Sequence, residues 1–89
     1  MQAYPASSVK VSVLDSGEMV LKSTITQLEK RFEPHATAMW MALCQCDGKI
    51  EAAASMLSGV WDEELAGLHA EMLEQVDDWR CAGFMEVAY

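Results

Sequence analysis

The first third of the chain alternates apolar and polar residues with the period of two that is typical of a half-buried β-strand. Val9, Val11 and Val13 show this alternation most clearly. The predicted strands span residues 9–14, 18–22 and 25–32, and the predicted turns span residues 15–17 and 23–24. The first turn reads Asp-Ser-Gly, a composition that tolerates positive φ angles. The pattern therefore predicts a three-stranded antiparallel sheet.

From Pro34 onward the apolar residues recur at helical spacing. Proline suits the first turn of a helix, where its missing N–H has no intrahelical partner. The predicted helices span residues 34–46, 49–58 and 62–82, and a short strand is expected over 84–89. Gly59 is expected to end the second helix and Asp62 to cap the start of the third. The predicted core positions are Ala36, Met39, Trp40, Leu43, Ile50, Ala53, Ala54, Leu57, Leu65, Leu68, Met72, Val76 and Trp79.

A length of 89 residues is expected to give a single domain, residues 1–89, because a chain this short cannot be divided and retain two hydrophobic cores. No stretch approaches the roughly 20 consecutive apolar residues that a membrane span needs. The N-terminus has no basic patch followed by an apolar run, so no secretory signal is expected. These observations predict a cytoplasmic protein that does not bind membranes.

The formal charge of -8 is unevenly distributed along the chain. Residues 47–89 contain ten of the 14 acidic residues, whereas their bases are Lys49 and Arg80. Nucleic-acid binding needs a basic face against the phosphate backbone, and this half of the chain does not supply one. The charge pattern therefore argues against a nucleic-acid partner.

The sequence offers little for catalysis or for a cofactor. Cys44, Cys46 and Cys81 lack the paired spacing of a zinc site and are expected to be reduced thiols. His69 is expected on a helix surface, with no nucleophile placed to form a relay with it. No glycine-rich phosphate loop or nucleophile elbow is present in the sequence. We therefore expect a protein that is not an enzyme and that needs no metal or other cofactor.

Three segments together resemble the PqqD-like family of recognition domains for ribosomally synthesised, modified peptides. They are RFEPHATAMWMAL (31–43), CDGKIEAAASML (46–57) and VWDEELAGLHAEMLEQVDDWRCAGFMEV (60–87). The first segment matches the family through Phe32, Glu33, Pro34, Ala36, Ala38, Trp40 and Leu43. The resemblance covers about residues 9–87 and implies an α+β fold of the winged helix-turn-helix type, with a three-stranded sheet followed by three helices. The run Tyr-Pro-Glu-Gly, typical of the pyrroloquinoline quinone pathway member, is absent.

In this family, the leader segment of a precursor peptide adds as a strand to the third strand and lies in the groove beside the third helix. The resemblance thus implies a non-catalytic protein that captures a leader and delivers it to a separate enzyme. A leader peptidase or a radical-SAM enzyme is the implied partner, as in lasso peptide and related pathways. The implied contact residues are Thr26, Gln27, Leu28, Glu29, Lys30, Arg31, His69, Met72, Leu73, Val76 and Arg80.

The sequence also gives two specific expectations about the groove between the third strand and the third helix. Lys30→Pro is expected to remove an N–H from the strand edge, and Leu73 is expected to lie outside the core, facing the leader. The chain is expected to be a monomer or a homodimer, because an exposed strand edge can also pair with a second copy. The alternative hypothesis is an acidic winged-helix module, either an inhibitor or decoy that binds through the 62–78 face or a transcription-associated regulator.

Overall fold

The structure is a computed structural model, and it describes residues 1–88. Its elements in chain order are β1 (Gln2–Pro5), β2 (Val9–Val13), β3 (Met19–Ser23), β4 (Glu29–Phe32), α1 (Pro34–Gln45), α2 (Ile50–Trp61), α3 (Leu65–Cys81) and β5 (Met85–Ala88). The α+β class and the order of three sheet strands followed by three helices are confirmed. The strands form two separate sheets, which the sequence did not predict.

The larger sheet is antiparallel, with the strand order β2-β3-β4. Leu21, at the centre of β3, lies between Val11 of β2 and Lys30 of β4. The face that carries Met19 and Leu21 is covered by the helices, and both side chains are fully buried. The central strand therefore supplies the sheet's part of the core, and β2 and β4 are its edges.

The smaller sheet pairs β1 with β5, and β1 was missed by the sequence analysis. The segment is short, lacks clear alternation and ends at Pro5, and its partner lies at the other end of the chain. Gly48 permits this arrangement, because a Cβ atom there would lie 2.5 Å from the carbonyl oxygen of Ala3. The N–H of Ala3 donates to the carbonyl of Gly48 at 2.8 Å. The predicted strand over 84–89 is confirmed for Met85–Ala88, and Tyr89 lies outside the described residues.

The third strand of the sheet is shorter than predicted, because residues 24–28 form a turn. The hydroxyl of Ser23 accepts hydrogen bonds from the N–H groups of Ile25 and Thr26. The hydroxyl of Thr26 accepts one from the N–H of Leu28, and Gln27 adopts a φ of 64°. Serine and threonine side chains thus satisfy backbone groups that a longer strand would have used.

The boundary between the second and third helices also differs from the prediction. α2 continues through Gly59 to Trp61, and Asp62 ends it in the left-handed conformation instead of capping α3. The N-cap of α3 is Glu64. The turn brings Leu65 to the surface with 47% of its area exposed, so its predicted place in the core is wrong.

The remaining core positions on the three helices are buried as predicted, and Phe84 joins them. A contact at the surface also ties the helices together. His35 at the start of α1 stacks on Trp61 at the end of α2, with ring centroids 4.4 Å apart. The same imidazole places Nε2 2.5 Å from Oε1 of Glu71 on α3.

Candidate functional site

The open edge of β4 is the feature from which the candidate site is built. The N–H of Ser23, at the end of β3, donates to the carbonyl of Leu28, just before β4, at 2.9 Å, and the register of the two strands places Leu21 opposite Lys30. Hydrogen-bonded and non-hydrogen-bonded pairs alternate along an antiparallel ladder. The backbone of Lys30 therefore faces β3, whereas the backbone groups of Glu29 and Arg31 face the open edge.

Hydrogen bonds on the other side of β3 support this assignment. The N–H of Leu14 donates to the carbonyl of Glu18, and the N–H of Thr24 donates to the carbonyl of Ser8, each at 2.8 Å. Even-numbered residues of β3 thus face β2, and odd-numbered residues face β4. The expectation that Lys30→Pro removes an edge N–H is therefore wrong, because that N–H belongs to the ladder with β3.

The side chains of β4 alternate between two faces. Directly opposite residues of an antiparallel pair project to the same face of the sheet. Lys30 and Phe32 lie opposite the buried Leu21 and Met19, so their side chains are on the face that carries the helices. Glu29 and Arg31 project to the other face and are exposed. A strand added to this edge would likewise direct every second side chain toward the helices.

An open groove of about 560 Å³ lies between β4 and the C-terminal half of α3. The residues that line it are Leu28, Lys30, Phe32, Gln75, Asp78, Trp79, Cys81 and Ala82. Phe32 contacts Trp79 edge to face with ring centroids 6.0 Å apart, and Trp79 is fully buried. The groove therefore has an aromatic floor that is continuous with the core.

The groove carries one charge of each sign, Lys30 from the strand and Asp78 from the helix. Both side chains are exposed at the surface. The remaining lining is apolar or uncharged, a composition suited to an amphipathic peptide and not to a phosphate or a polyanion. Within residues 1–88, no three His, Cys, Asp or Glu side chains are grouped closely enough to hold a metal ion.

Comparisons with known proteins give a structural match. No family model matches the chain, and no curated protein matches it by sequence. A solved structure described as "TbiB1 in Complex with the TbiA(beta) Leader Peptide" superposes with a TM-score of 0.85. The match covers 100% of this chain and 99% of that chain at 12% sequence identity. The chain has the fold of TbiB1. The resemblance found in the sequence is thereby confirmed at the level of the fold.

The residues predicted to contact a leader peptide do not all lie at one site. The structure brings part of that set together. Leu28 and Lys30 line the β4–α3 groove, and Glu29 and Arg31 present the open edge beside it. Thr26 and Gln27 belong to the preceding turn instead of a strand.

The predicted residues of α3 lie elsewhere. Met72 and Val76 are buried in the core with 0% and 3% of their area exposed. His69 and Leu73 line a second groove of about 580 Å³, formed with the N-terminus and the start of α2, and Leu73 packs against the core. Arg80 is not among the residues that line the β4–α3 groove and pairs with Asp77 at 2.6 Å. Helical periodicity identifies the side of α3 that is buried in the core and the two exposed sides next to it. It does not determine which of these two sides lies beside β4.

The sequence analysis missed the groove residues on α3 itself. Gln75, Asp78, Trp79 and Ala82 follow one another at spacings of three, one and three residues, and these spacings place them on one face of a helix. Gln75 and Asp78 are not among the residues that the sequence predicts to contact a leader, and Trp79 is predicted only as a core position. Their helical spacing was the signal in the sequence that could have identified them, and the structure shows that this side of α3 faces β4.

In the part of the chain that the structure describes, no helix is long and apolar enough to cross a membrane.

Proposed function

We propose that this protein binds the leader segment of a ribosomally synthesised precursor peptide and presents it to a separate modifying enzyme or leader peptidase. The observation that carries the proposal is the open edge of β4 lying directly beside the groove floored by Phe32 and Trp79. The fold shared with a protein described in complex with a leader peptide supports it.

The proposed complex forms by β-augmentation, in which an extended peptide becomes a fourth strand next to β4. The backbone groups of Glu29 and Arg31 supply up to four hydrogen bonds, each with a net value of about 0.5–1.5 kcal/mol. Alternate peptide side chains enter the groove, where Leu28, Phe32 and Ala82 offer apolar surface above the buried Trp79. The hydrogen bonds hold the backbone, and the groove fixes the register of the peptide.

The chemistry of the groove defines the peptide it suits. An apolar side chain fits next to Phe32, and a charged or polar side chain fits between Lys30 and Asp78. Because β4 spans four residues, the paired segment covers about 13 Å of extended peptide. The remainder of the precursor is left free for a separate enzyme.

Presentation to that enzyme follows from tethering and needs no catalytic group on this chain. Holding the leader next to the enzyme raises the effective concentration of the segment that is modified. We further propose that the protein acts in the cytoplasm as a non-catalytic monomer or homodimer, without cofactor or nucleic acid.

An amide NMR titration of the ¹⁵N-labelled full chain tests the proposal. The probes are the TbiA(beta) leader and synthetic leaders from short open reading frames next to the gene, each with a scrambled peptide of identical composition as its control. We expect saturable shifts within residues 28–32 and 75–82, with little change at His69 or Leu73. Saturable shifts centred on the second groove would contradict the site. Repeated absence of shifts with gene-adjacent leaders would contradict leader binding itself.

A further inference from the structure

The solvent face of α2 is unusual for a helix in so acidic a chain. Surface helices normally carry charged residues on the face opposite the core. The exposed residues of α2 are Glu51, Ala52, Ser55, Met56, Gly59 and Val60, and Glu51 alone among them is charged. Val60 exposes 72% of its area and Met56 exposes 37%. We call the set Ala52, Ser55, Met56, Gly59 and Val60 the α2 face.

Gly59 has no structural reason to be glycine in the isolated chain. Apart from proline, glycine is the residue least suited to a helix interior. A Cβ atom at Gly59 would meet nothing within 4 Å, and the residue does not have a positive φ. Intramolecular packing and backbone geometry therefore do not explain it. A small residue at this position allows the backbone of a second protein to approach α2 closely.

Acidic residues border the α2 face where the helix ends. Asp62, Glu63 and Glu64 are all exposed in the connection to α3, and Leu65 follows them with 47% of its area exposed. Ser58 holds this connection in place. Its hydroxyl donates to the carbonyl of Glu63 at 2.6 Å, and its own carbonyl accepts from the N–H groups of Asp62 and Glu63. The backbone of this acidic rim, Asp62, Glu63 and Glu64, is therefore held in place before any partner binds, which lowers the backbone entropy lost on association.

We propose that the α2 face and its acidic rim form the docking surface for the modifying enzyme, through an apolar segment of that enzyme flanked by lysine and arginine. This inference rests on the proposed function. An apolar centre inside a charged rim is the usual arrangement of a protein interface. The rim selects a basic partner and accelerates its association.

The position of the α2 face leaves the leader groove accessible. Leu65 at the start of α3 and Trp79 in the groove are separated by 14 residues along one helix, or about 21 Å. No residue of the α2 face lines that groove, and the acidic rim lies at the opposite end of α3 from Trp79, so the enzyme and the leader can bind at the same time. The bound leader then lies close to the enzyme and does not cover the α2 face on which the enzyme docks.

A second copy of this chain fits the α2 face poorly. In a two-fold symmetric dimer the same patch is used by both subunits. The chain carries a formal charge of -8 and exposes Asp62, Glu63 and Glu64 beside this patch, so two copies of the chain repel each other as they approach. Charge complementarity thus favours a basic enzyme over self-association.

The test compares Val60→Lys with Val60→Glu and with Val13→Lys. Val13 is a matched control, because it is an exposed valine on β2 with 53% of its area accessible. The probe is the purified peptide-modifying enzyme encoded next to this protein, and binding is measured by biolayer interferometry at low and moderate salt. We expect Val60→Lys to weaken binding at least about tenfold and Val60→Glu to weaken it less. Val13→Lys should bind like wild type, and salt should weaken the wild-type complex.

Several results would overturn the inference. They are absence of enzyme binding by wild type, equal binding by Val60→Lys and wild type, or a wild-type dimer that Val60→Lys dissociates without loss of enzyme binding. The leader titration is repeated on every variant. Leader binding that persists while enzyme docking fails removes this inference alone, whereas loss of leader binding in wild type removes the proposed function as well.

Discussion

The indole rings of Trp40 and Trp79 meet edge to face, with centroids 5.0 Å apart and ring planes at 87°. Both side chains are essentially buried. Trp79 also contacts Phe32 of β4 and lines the β4–α3 groove, whereas Trp40 lies on α1 within the core. One side chain thus connects the packing of the helices to the floor of the candidate site.

Substitutions of Trp79 should distinguish the contribution of its ring packing to the free energy of unfolding from that of its indole N–H. Trp79→Ala removes a fully buried aromatic ring and should lower the free energy of unfolding by about 3–5 kcal/mol. Trp79→Phe should cost less, because it keeps an aromatic ring and because the indole N–H has no hydrogen-bond partner among the described residues. Urea unfolding followed by circular dichroism measures both. A loss for Trp79→Phe as large as that for Trp79→Ala would contradict this expectation.

Proline substitutions on β4 should distinguish the ladder from the open edge. Arg31→Pro removes an N–H that faces outward, so the chain should remain folded but lose leader binding. Lys30→Pro removes an N–H that pairs with β3 and leaves its carbonyl partner unsatisfied, so it should lower the free energy of unfolding by about 1–3 kcal/mol. Thermal unfolding and leader titration on the two variants measure the difference. A folded Arg31→Pro variant with unchanged leader affinity would exclude strand addition at β4.

Two leucines provide a matched test of which groove binds the leader. Leu28 lines the β4–α3 groove and is 38% exposed, so Leu28→Glu should weaken leader binding about tenfold or more with little loss of stability. Leu73 packs against the core beside the second groove, so Leu73→Glu should lower the unfolding midpoint while the folded fraction binds leader normally. Calorimetric titration with thermal unfolding measures both effects. The reverse pattern would move the site to the second groove.

The parts of the fold that local patterns determine were predictable. The buried residues of α1 and α2 follow from helical periodicity, and Pro34 marks the start of α1. The predicted element boundaries were wrong where a polar side chain is compatible with two different local structures. Asp62 suits a helix N-cap but adopts a left-handed C-cap, and the hydroxyls of Ser23 and Thr26 favour a turn where apolar residues suggested a strand.

The candidate site was predicted in part for a different reason. Strand β4 and its edge depend on local pairing, and the sequence placed them correctly over 29–32. The facing flank of α3 depends on how the helix is rotated against the sheet, which is set by contacts distant in sequence such as that between Phe32 and Trp79. The sequence of α3 alone therefore indicated His69 and Leu73 as groove residues. The packing of α3 against the sheet instead places Gln75 and Asp78 in the β4–α3 groove.

Cys44 should be a slowly reacting thiol. Partial burial raises the pKa of its thiol above the ordinary value, because desolvation disfavours the thiolate. Since the thiolate is the nucleophile, alkylation near neutral pH should be slow and should accelerate as the pH rises toward the raised pKa. The measurement is the iodoacetamide rate against pH in a Cys46→Ser, Cys81→Ser variant. Urea-unfolded protein is the control, and an equal rate before and after unfolding would contradict the shift.

Gly59→Ala should stabilise the isolated protein. Alanine is favoured over glycine in a helix by about 0.5–1 kcal/mol, and the added Cβ meets nothing within 4 Å. In a domain of this size a gain of 1 kcal/mol raises the unfolding midpoint by about 4–8 °C. Differential scanning calorimetry measures the midpoint, with Gly67→Ala in α3 as a matched control, because its added Cβ also meets open space. Both variants should be stabilised, whereas Gly59→Ala alone should weaken docking of the enzyme on the α2 face. A lowered midpoint for Gly59→Ala would mean that the helix needs glycine for its own sake, and the α2 face would lose that part of its support.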